Sequence, residues 1–280
     1  MPSVDGMYSL KNLYALLEEV YTEFPPGGQR RALNRYWNLY RFFLQGIQPV
    51  IAEQPVPAQW LDIGAGGGVI PLVLAKLGYT VTAVDTWEQY AKERDNPMGC
   101  MEEFVERFNR FGIAWERGIL GNGRLPFPDE TFEFVSSFDV IEHLPSPSDL
   151  LIEAHRLLKP GGILVVSTPN TANLRNRIRH LFGASPHPDA IGTWYERPFY
   201  GHVREYTSGE LDEMFGLAGF QTLAVHLSEG SHQNTKLLNG EWARGLRLTS
   251  LEQWIKAGYF ACVSMFPNLR YVTLAIGRKK

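Results

Sequence analysis

The sequence predicts an α/β protein with a mostly parallel, seven-stranded sheet, helices on both faces and an antiparallel last strand. Three observations support this prediction. From residue 60 onward, short apolar runs alternate with helix-like stretches, which is typical of parallel strands joined by crossover helices. A glycine-dense turn separates the first apolar run, 60–63, from the helix-like residues 69–75. Near the end, the apolar runs 220–227 and 270–277 suit an antiparallel pair.

Composition and charge limit the range of functions. The 280 residues are 44% hydrophobic and 12% aromatic, enough for a sizeable core in one domain with additions. The 27 basic and 30 acidic residues nearly balance, so a nucleic-acid partner is disfavoured. The only cysteines, Cys100 and Cys262, are far apart and belong to no cluster with zinc-ligand spacing. Without a signal-peptide pattern or an apolar run of about 18 residues, we expect a cytoplasmic protein with no stable membrane insertion.

Residues 1–53 are predicted to form a helical cap on the main domain, which spans 54–280. The cap helices are expected at about 10–24 and 30–51, separated by the breaker 25–28. Side chains at three- and four-residue spacing give the second helix an aromatic stripe: Tyr36, Trp37, Tyr40, Phe43, Leu44 and Ile47. The stripe fits a packing face, a lid over an apolar acceptor or a membrane-surface helix. Pro49, Pro55 and Pro57 mark the joint with the main domain.

The turn after the first strand combines a carboxylate with alternating glycines: Asp62, Gly64, Gly66 and Gly68. The dinucleotide fingerprint needs its third glycine where this chain has Val69, so a nicotinamide cofactor is disfavoured. An acid beside the turn suits a cationic ligand group and would repel a pyrophosphate. Because the turn has almost no side chains, we expect it to expose backbone N–H groups to a closely approaching ligand.

Asp85 follows the second predicted strand, 80–84, about 20 residues after the glycine turn. At that position a carboxylate can accept hydrogen bonds from both ribose hydroxyls of a nucleoside. A helix N-cap is the alternative interpretation of Asp85. A crossover helix at 98–111 and a third strand at 113–120 are expected to follow.

Three further motifs lie between residues 125 and 170. They are Leu125-Pro126-Phe127, the cluster Asp139-x-x-Glu142-His143, and the turn Lys159-Pro160-Gly161-Gly162 that leads into a fifth strand. With the glycine turn, they resemble the small-molecule group of class I S-adenosylmethionine-dependent methyltransferases over about residues 58–228. The resemblance implies a Rossmann-like sheet and methyl transfer to an oxygen or nitrogen of a small-molecule acceptor. It also implies S-adenosyl-L-methionine as cofactor and S-adenosyl-L-homocysteine as product.

Carried over residue by residue, the resemblance places the cofactor at the carboxyl ends of the first four strands. The predicted cofactor-binding residues are Asp62, Gly64, Ala65, Gly66, Gly68, Asp85, Thr86, Leu120, Gly121, Asn122 and Phe138. The acid that the family often carries shortly before Leu-Pro-Phe, where it bonds the adenine amino group, is missing here. Asn122, or backbone groups at Leu120 and Gly121, are expected to replace it.

The predicted catalytic residues are His143, His202 and Tyr206. His143 is the first candidate for a general base because it follows the fourth strand; a histidine that merely packs near the cofactor is the alternative. The other two open the segment after a long insertion, 171–201, which is expected to overhang the cofactor crevice. Its arginines suit a polar acceptor or a solvated helical face. A second insertion, 228–269, with a helix near 251–258, has no predicted role beyond a wall or partner surface.

Two alternatives to the main interpretation remain open. Quinone-pathway O-methyltransferases carry a similar acid-x-x-Glu-His cluster, so Asp139, Glu142 and His143 could hold a divalent cation that lowers the pKa of a phenol. The main interpretation assigns no metal. The missing adenine acid also allows a nucleoside-binding relative without catalysis. The sequence indicates neither the oligomeric state nor the identity of the acceptor.

Overall fold

The computed structural model describes residues 9–24, 26–53, 56–87, 101–118, 120, 124–185, 201–229 and 251–280. The strands in these ranges are β1 Gln59–Ile63, β2 Thr80–Asp85, β3 Ala114–Arg117, β4 Phe132–Phe138, β5 Leu158–Pro169, β6 Phe220–Ser228 and β7 Val272–Lys279. The α-helices are α1 Leu10–Tyr21, α2 Pro26–Glu53, α3 Val69–Lys76, α4 Met101–Arg110, α5 Pro147–Leu157, α6 Leu174–Leu181, α7 Ser208–Leu217 and α8 Leu251–Met265. Short 3-10 helices cover Ile141–His143 and Pro267–Leu269.

The strands form one sheet in the order β3-β2-β1-β4-β5-β7-β6. Neighbouring strands are parallel except for β7, which is antiparallel to both β5 and β6. The predicted fold class, with its antiparallel last strand, is therefore confirmed. The strand order reverses between β1 and β4, and in open α/β sheets such a reversal leaves a crevice at the carboxyl ends of the strands.

Hydrophobic cores lie on both faces of the sheet because side chains alternate along each strand. On one face Trp60 of β1 stacks on Phe134 of β4, with ring centroids 4.3 Å apart, in the core that includes α1 to α4. The next residues, Leu61 and Val135, point the other way into the core with α5 and α7. Burial on both faces explains the adjacent apolar pairs Trp60-Leu61 in β1 and Phe134-Val135 in β4.

Helix α2 packs on the first face through the aromatic stripe. Phe43, Leu44 and Ile47 are fully buried in the same core as the strand residues. Gly46 allows a close approach to β7, because a Cβ there would lie 2.2 Å from Cδ2 of Leu274. For these stripe residues, the packing-face interpretation is confirmed.

Several predicted element bounds were wrong. Helix α2 begins at Pro26, not near residue 30, because proline suits the first helical position. Helix α2 also runs to Glu53, slightly beyond the predicted end at about residue 51, with Pro49 inside it. The buried side chains of Ile47 and Ile51 on either side of Pro49 favour one continuous helix. Strand β3 covers only Ala114–Arg117 of the predicted 113–120, as far as it pairs with β2.

The Lys-Pro-Gly-Gly segment also differs from expectation. It forms the start of β5, where the register with β4 shifts between Phe132 and Phe134. Gly161, at φ +75°, takes up the left-handed backbone that this irregularity requires. Among the described helices, none is long and apolar enough to cross a membrane.

Candidate active site

The glycine turn between β1 and α3 adopts a backbone that only glycine takes easily. Gly64, Gly66 and Gly68 have φ values of +76°, +49° and +79°. A Cβ on Gly64 would lie 2.1 Å from Cγ2 of Val140, and one on Gly68 would lie 2.6 Å from the Phe108 ring. At these two glycines the closely approaching atoms belong to the protein itself.

Four N–H groups of the turn have partners within the chain. The amides of Gly64 and Ala65 donate to the Val84 carbonyl at 2.7 and 3.1 Å, and the amide of Gly68 donates to Ala65. The amide of Gly66 donates to the Asp85 carboxylate at 2.8 Å. The prediction that the turn exposes its N–H groups is therefore wrong for these four residues, because the amides tie the turn to the end of β2.

Asp62, at the end of β1, is almost completely buried. Ser136 of β4 donates a hydrogen bond to its carboxylate and in turn accepts one from the Trp60 indole at 2.8 Å. Burial raises the pKa of Asp62 to about 7, with the nearby charge of Asp85 adding to the rise and the Ser136 hydrogen bond opposing it. A cationic ligand group beside Asp62 would favour its ionised form.

The Asp85 carboxylate joins the glycine turn to the residues that follow β2. One carboxylate oxygen accepts from Gly66, and the other accepts from the Trp87 amide at 2.9 Å. The Thr86 hydroxyl lies 3.5 Å from the same oxygen. The buried Trp87 donates its indole N–H to the Gly66 carbonyl at 3.2 Å. Asp85 and Trp87 thus fix Gly66, while each carboxylate oxygen keeps further lone pairs for ribose hydroxyls.

Of the remaining predicted cofactor-binding residues, the structure describes Phe138, which ends β4, and Leu120, which follows β3. Phe138 is partly buried and stacks on Phe43 of α2, with ring centroids 4.5 Å apart. Leu120 packs against the core on the other face of the sheet. Gly121 and Asn122 lie outside the described residues, so the adenine contact stays a prediction.

The segment after β4 carries two acidic residues, the partly buried Asp139 and the buried Glu142. Asp139, at φ +55°, accepts a hydrogen bond from the Ser167 hydroxyl at 2.8 Å. Glu142 is fully buried in the 3-10 helix and accepts from Thr168 at 3.0 Å, while its second oxygen, Oε1, has no hydrogen-bond partner. Burial, and then the charge of Asp139, raises the pKa of Glu142 well above its ordinary value. A buried acceptor without a partner in the chain can be satisfied by a proton, an ordered water or a bound cation.

His143 and His202 come together beside this carboxyl group. Their rings meet edge to face with centroids 4.8 Å apart. His143 Nδ1 lies 3.0 Å from the Gly201 carbonyl, and His202 Nδ1 lies 3.0 Å from Glu205. The amides of Val203 and Arg204 both donate to the Glu142 carbonyl. The segment that follows the long insertion is therefore docked onto the 3-10 helix.

Tyr206 lies next to this cluster but is buried by its surroundings. Its backbone bridges to Asn170 at the end of β5, and its carbonyl accepts from Thr171. Burial raises the pKa of the Tyr206 hydroxyl, which makes it a poor proton acceptor near neutral pH. Of the three predicted catalytic residues, His143 and His202 share one site, and Tyr206 supports it.

The set of potential cation ligands differs from the sequence-based alternative. One atom each from Glu142, His143 and His202 lie within 4.8 Å of one another. Asp139, the third member of the proposed cluster, instead faces Ser167. The sequence predicts His202 only as a base. A ligand role has no signal there, because His202 lies 59 positions after His143.

Sequence reasoning also missed Ser136, Trp87 and Glu205. Ser136 and Asp62 are paired neighbours on β4 and β1 but are 74 residues apart in sequence. In the sequence, Trp87 is indistinguishable from an ordinary core aromatic residue. Only the structure reveals that its indole donates to the Gly66 carbonyl of the turn. For Glu205, the only signal in the sequence is its i, i+3 spacing from His202.

Comparisons with known proteins bear on the family and the fold. A family model described as "Methyltransferase domain" matches residues 30–225. Two proteins named ubiquinone biosynthesis O-methyltransferase are similar to part of the chain. The one from Caulobacter sp. (strain K31) is 36% identical over 110 residues, 39% of this chain and 40% of the relative. The one from Roseobacter denitrificans is 30% identical over 159 residues, 57% and 58% respectively. The chain thus spans about half the length of the curated relatives that it matches.

Solved structures share the fold at low sequence identity. An S-adenosylmethionine-dependent methyltransferase from Mesorhizobium loti is 17% identical with a TM-score of 0.50, covering 83% of this chain and 97% of that one. A proposed sarcosine dimethylglycine methyltransferase from Galdieria sulphuraria is also 17% identical, with a TM-score of 0.51 and coverage of 88% and 85%. The cyclase SpnF has a TM-score of 0.50, 16% identity and coverage of 85% and 82%. The fold alone therefore does not define the reaction.

Proposed function

Since the chain belongs to the methyltransferase-domain family and to the class I S-adenosylmethionine-dependent methyltransferases, we propose that it methylates a hydroxyl oxygen of a small, quinone-like phenol. The cofactor is S-adenosyl-L-methionine and the product is S-adenosyl-L-homocysteine. The observation that carries this proposal is the carboxyl of Asp62, buried beside the glycine turn with a pKa of about 7. The cofactor's cationic methionine end would favour the ionised form of this carboxyl.

The proposed reaction is an in-line displacement that needs positioning and removal of one proton. A phenol is a better nucleophile once its proton is lost, and the imidazoles of His143 and His202 lie together at the carboxyl end of β4. A covalent enzyme intermediate is not required. The partial matches to ubiquinone biosynthesis O-methyltransferases support a phenolic oxygen over a nitrogen as the acceptor atom.

A metal-assisted form of the same reaction is the second candidate. The partnerless Oε1 of Glu142, with two imidazoles nearby, fits a divalent cation of the Zn²⁺ or Mn²⁺ type. Glu142, His143 and His202 would hold it. Such a cation supplies a Lewis acid that lowers the pKa of a bound phenol.

Two experiments test the proposal. Calorimetry measures binding of S-adenosylhomocysteine, and an activity assay measures methyl transfer to catechol-type acceptors. Gly66→Val places a branched side chain on a residue held by Asp85 and Trp87, so we expect the folded variant to lose cofactor binding. Unchanged affinity in that variant contradicts the site assignment. Binding without turnover of any phenol favours a non-catalytic relative, and loss of turnover with EDTA that added Mn²⁺ or Zn²⁺ restores favours the metal-assisted form.

A further inference from the structure

Helix α8 is apolar on two faces, and its inner face is anchored to the sheet. On that face Val263 is buried, and the Tyr259 hydroxyl donates to the carboxylate of Glu229, which follows β6 and is only 5% exposed. Strand β6 is parallel to β5, since both are antiparallel to β7. The inner face of α8 is therefore held at the same edge of the sheet as the candidate active site.

The opposite face of α8 carries a stripe of apolar and small residues, here called the outer stripe. It consists of Trp254, Ile255, Gly258, Ala261, Cys262, Met265 and Phe266. Recurring spacings of three and four residues place the first six on one side of the helix. Phe266 directly follows α8, and its amide still donates to the Cys262 carbonyl at 2.9 Å. None of these seven residues is charged.

The large side chains of the outer stripe are more than half exposed. Trp254 and Ile255 near one end expose 60% and 63%, and Met265 and Phe266 at the other end expose 68% and 57%. With about 200 Å² for each fully exposed side chain, the four together present roughly 500 Å² of apolar surface. Monomeric proteins rarely expose a larger apolar patch, and patches of this size commonly mark contact sites. Because a helix that is hydrophobic all round is normally buried, a partner is expected to cover the outer stripe.

The order of large and small residues in the outer stripe is the same in both directions from residue 260. Large residues occupy both ends, and Gly258 and Cys262 lie two positions to either side of this centre. If two copies of α8 pack antiparallel about a two-fold axis at that point, Ile255 of one copy faces Met265 of the other, and Gly258 faces Cys262. Small residues at the crossing let two helices approach closely. The stripe is therefore self-complementary, as a two-fold symmetric interface requires.

We propose that the outer stripe is the contact surface of a homodimer in which two α8 helices pack antiparallel. Two such stripes remove about 1,000 Å² from water, which reaches the lower limit for a specific interface between proteins. An uncharged stripe matches a second uncharged stripe. A helix that lies on an anionic lipid surface is rich in lysine and arginine, whereas α8 has one lysine, Lys256, and one acid, Glu252.

The dimer gives the second insertion a role beside the crevice. Tyr259 on the inner face of α8 bonds Glu229 at the carboxyl edge of the sheet, while the outer stripe packs on the second copy. The helix is thus held from both sides. This inference goes beyond the proposed reaction and does not depend on it.

Sedimentation velocity of the full chain tests the inference, and we expect a dimer at roughly 10–100 µM, as suits a small interface. Ile255→Glu and Met265→Lys each place one charge in the apolar contact and should raise the Kd of the dimer about a hundredfold or more. Each charge is near the helix end that favours it, so the fold should be kept. Trp254→Gln adds no charge and should raise the Kd about tenfold. Leu217→Glu, at a leucine 82% exposed on α7, is the matched control and should leave the dimer unchanged.

A charge pair tests the antiparallel register. When both substitutions are in one chain, the new carboxylate of each copy faces the new ammonium group of the other, so the Kd should fall at least about tenfold below that of either single variant. Circular dichroism and cooperative urea unfolding confirm the fold of each variant. A native chain that is monomeric at these concentrations overturns the inference, whether or not it binds vesicles of anionic lipid. A dimer that persists in folded Ile255→Glu and Trp254→Gln, or a double variant no tighter than the single ones, also overturns it.

Discussion

Among single residues, Asp62 gives the most direct test by pH. Because its pKa in the cofactor-free protein is about 7, roughly a tenth of it is ionised at pH 6 and about nine tenths at pH 8. If the ionised form receives the cationic cofactor, affinity for S-adenosylmethionine should strengthen about tenfold over that range. Calorimetric titrations at several pH values measure this.

Asp62→Asn is the control, since it keeps the shape of the side chain and reports the ligand's own titration. The affinity of this variant for S-adenosylmethionine should change less with pH than that of the native protein, because Asp62 no longer contributes. The native carboxyl is protonated more readily in the fold than in the unfolded chain, so it destabilises the fold as pH rises from about 4 to about 7. Equal pH dependence in both proteins would show that Asp62 does not receive the cofactor.

Gly64 and Gly183 form a matched pair for the turn. Both have φ +76°, but a Cβ on Gly64 meets Val140 at 2.1 Å, whereas one on Gly183 meets nothing within 4 Å. Both alanine variants bear the cost of left-handed backbone, about 1 kcal/mol. Gly64→Ala should be less stable than Gly183→Ala by a further ~1–3 kcal/mol, measured by urea unfolding. Equal stabilities would mean that Val140 does not pack against the turn.

The residues that could be predicted are those whose signal is local. Asp62, its glycines and Asp85 are recognisable because a short strand-turn-helix unit requires them in fixed order. Ser136 and Glu205 could not be assigned, because their importance depends on contacts with Asp62 across the sheet and with Asn176 on α6. Polar partners of this kind are set by tertiary packing.

At the level of elements, the loop before β4 is held by one arginine. Arg156 of α5 donates to the Leu125 and Phe127 carbonyls at 3.1 and 2.8 Å and pairs with Glu153, which accepts from the Leu125 amide. This network explains why a Leu-Pro-Phe segment with little regular structure has a fixed path. The Arg156 network thus fixes the segment before β4 against α5. The carboxyl end of β4 in turn borders the crevice.

Arg156→Lys keeps the charge but loses the planar set of donors that reaches both carbonyls. It should destabilise the fold by about 1–3 kcal/mol, because buried carbonyls lose partners. Arg110→Lys is the matched substitution: that arginine is 56% exposed and pairs with Glu23, so the change should cost about 1 kcal/mol or less. Equal losses in thermal or chemical unfolding would show that the carbonyl contacts do not matter.

The types and order of the elements were predictable, and their ends were less so. Alternating apolar strands and crossover helices follow from periodicity, which is why β1, β2 and α3 lie close to their predicted positions. The start of α2 and the course of β5 depend on burial against distant strands. Gly161 and Pro49 look like breaks in sequence but are accommodated within elements by that packing.

For the whole molecule, the reversal of strand order between β1 and β4 brings the site together. It places the glycine turn, Asp85 and the His143–His202 pair at the same edge of one sheet. Family membership defines the fold and the cofactor class, whereas the acceptor depends on segments outside the shared motifs. The acceptor therefore could not be predicted from the common motifs alone.

The cofactor class can be tested by comparing how much different nucleotide ligands stabilise the fold. S-adenosylhomocysteine at about a hundred times its Kd should stabilise the fold by about 2.7 kcal/mol, which corresponds to a rise in Tm of about 5 °C for a chain of this size. NADH and NADPH should leave Tm unchanged. Stabilisation by either dinucleotide alone would favour an oxidoreductase.

The most direct test is a crystal structure with S-adenosylhomocysteine bound. The ligand should lie along the carboxyl ends of β1 and β2, with its amino-acid end beside Asp62 and its ribose hydroxyls on Asp85, and its sulfur should face the His143–His202 pair. A nucleoside bound elsewhere, with Asp62 and Asp85 still bonded only to the protein, would contradict the account.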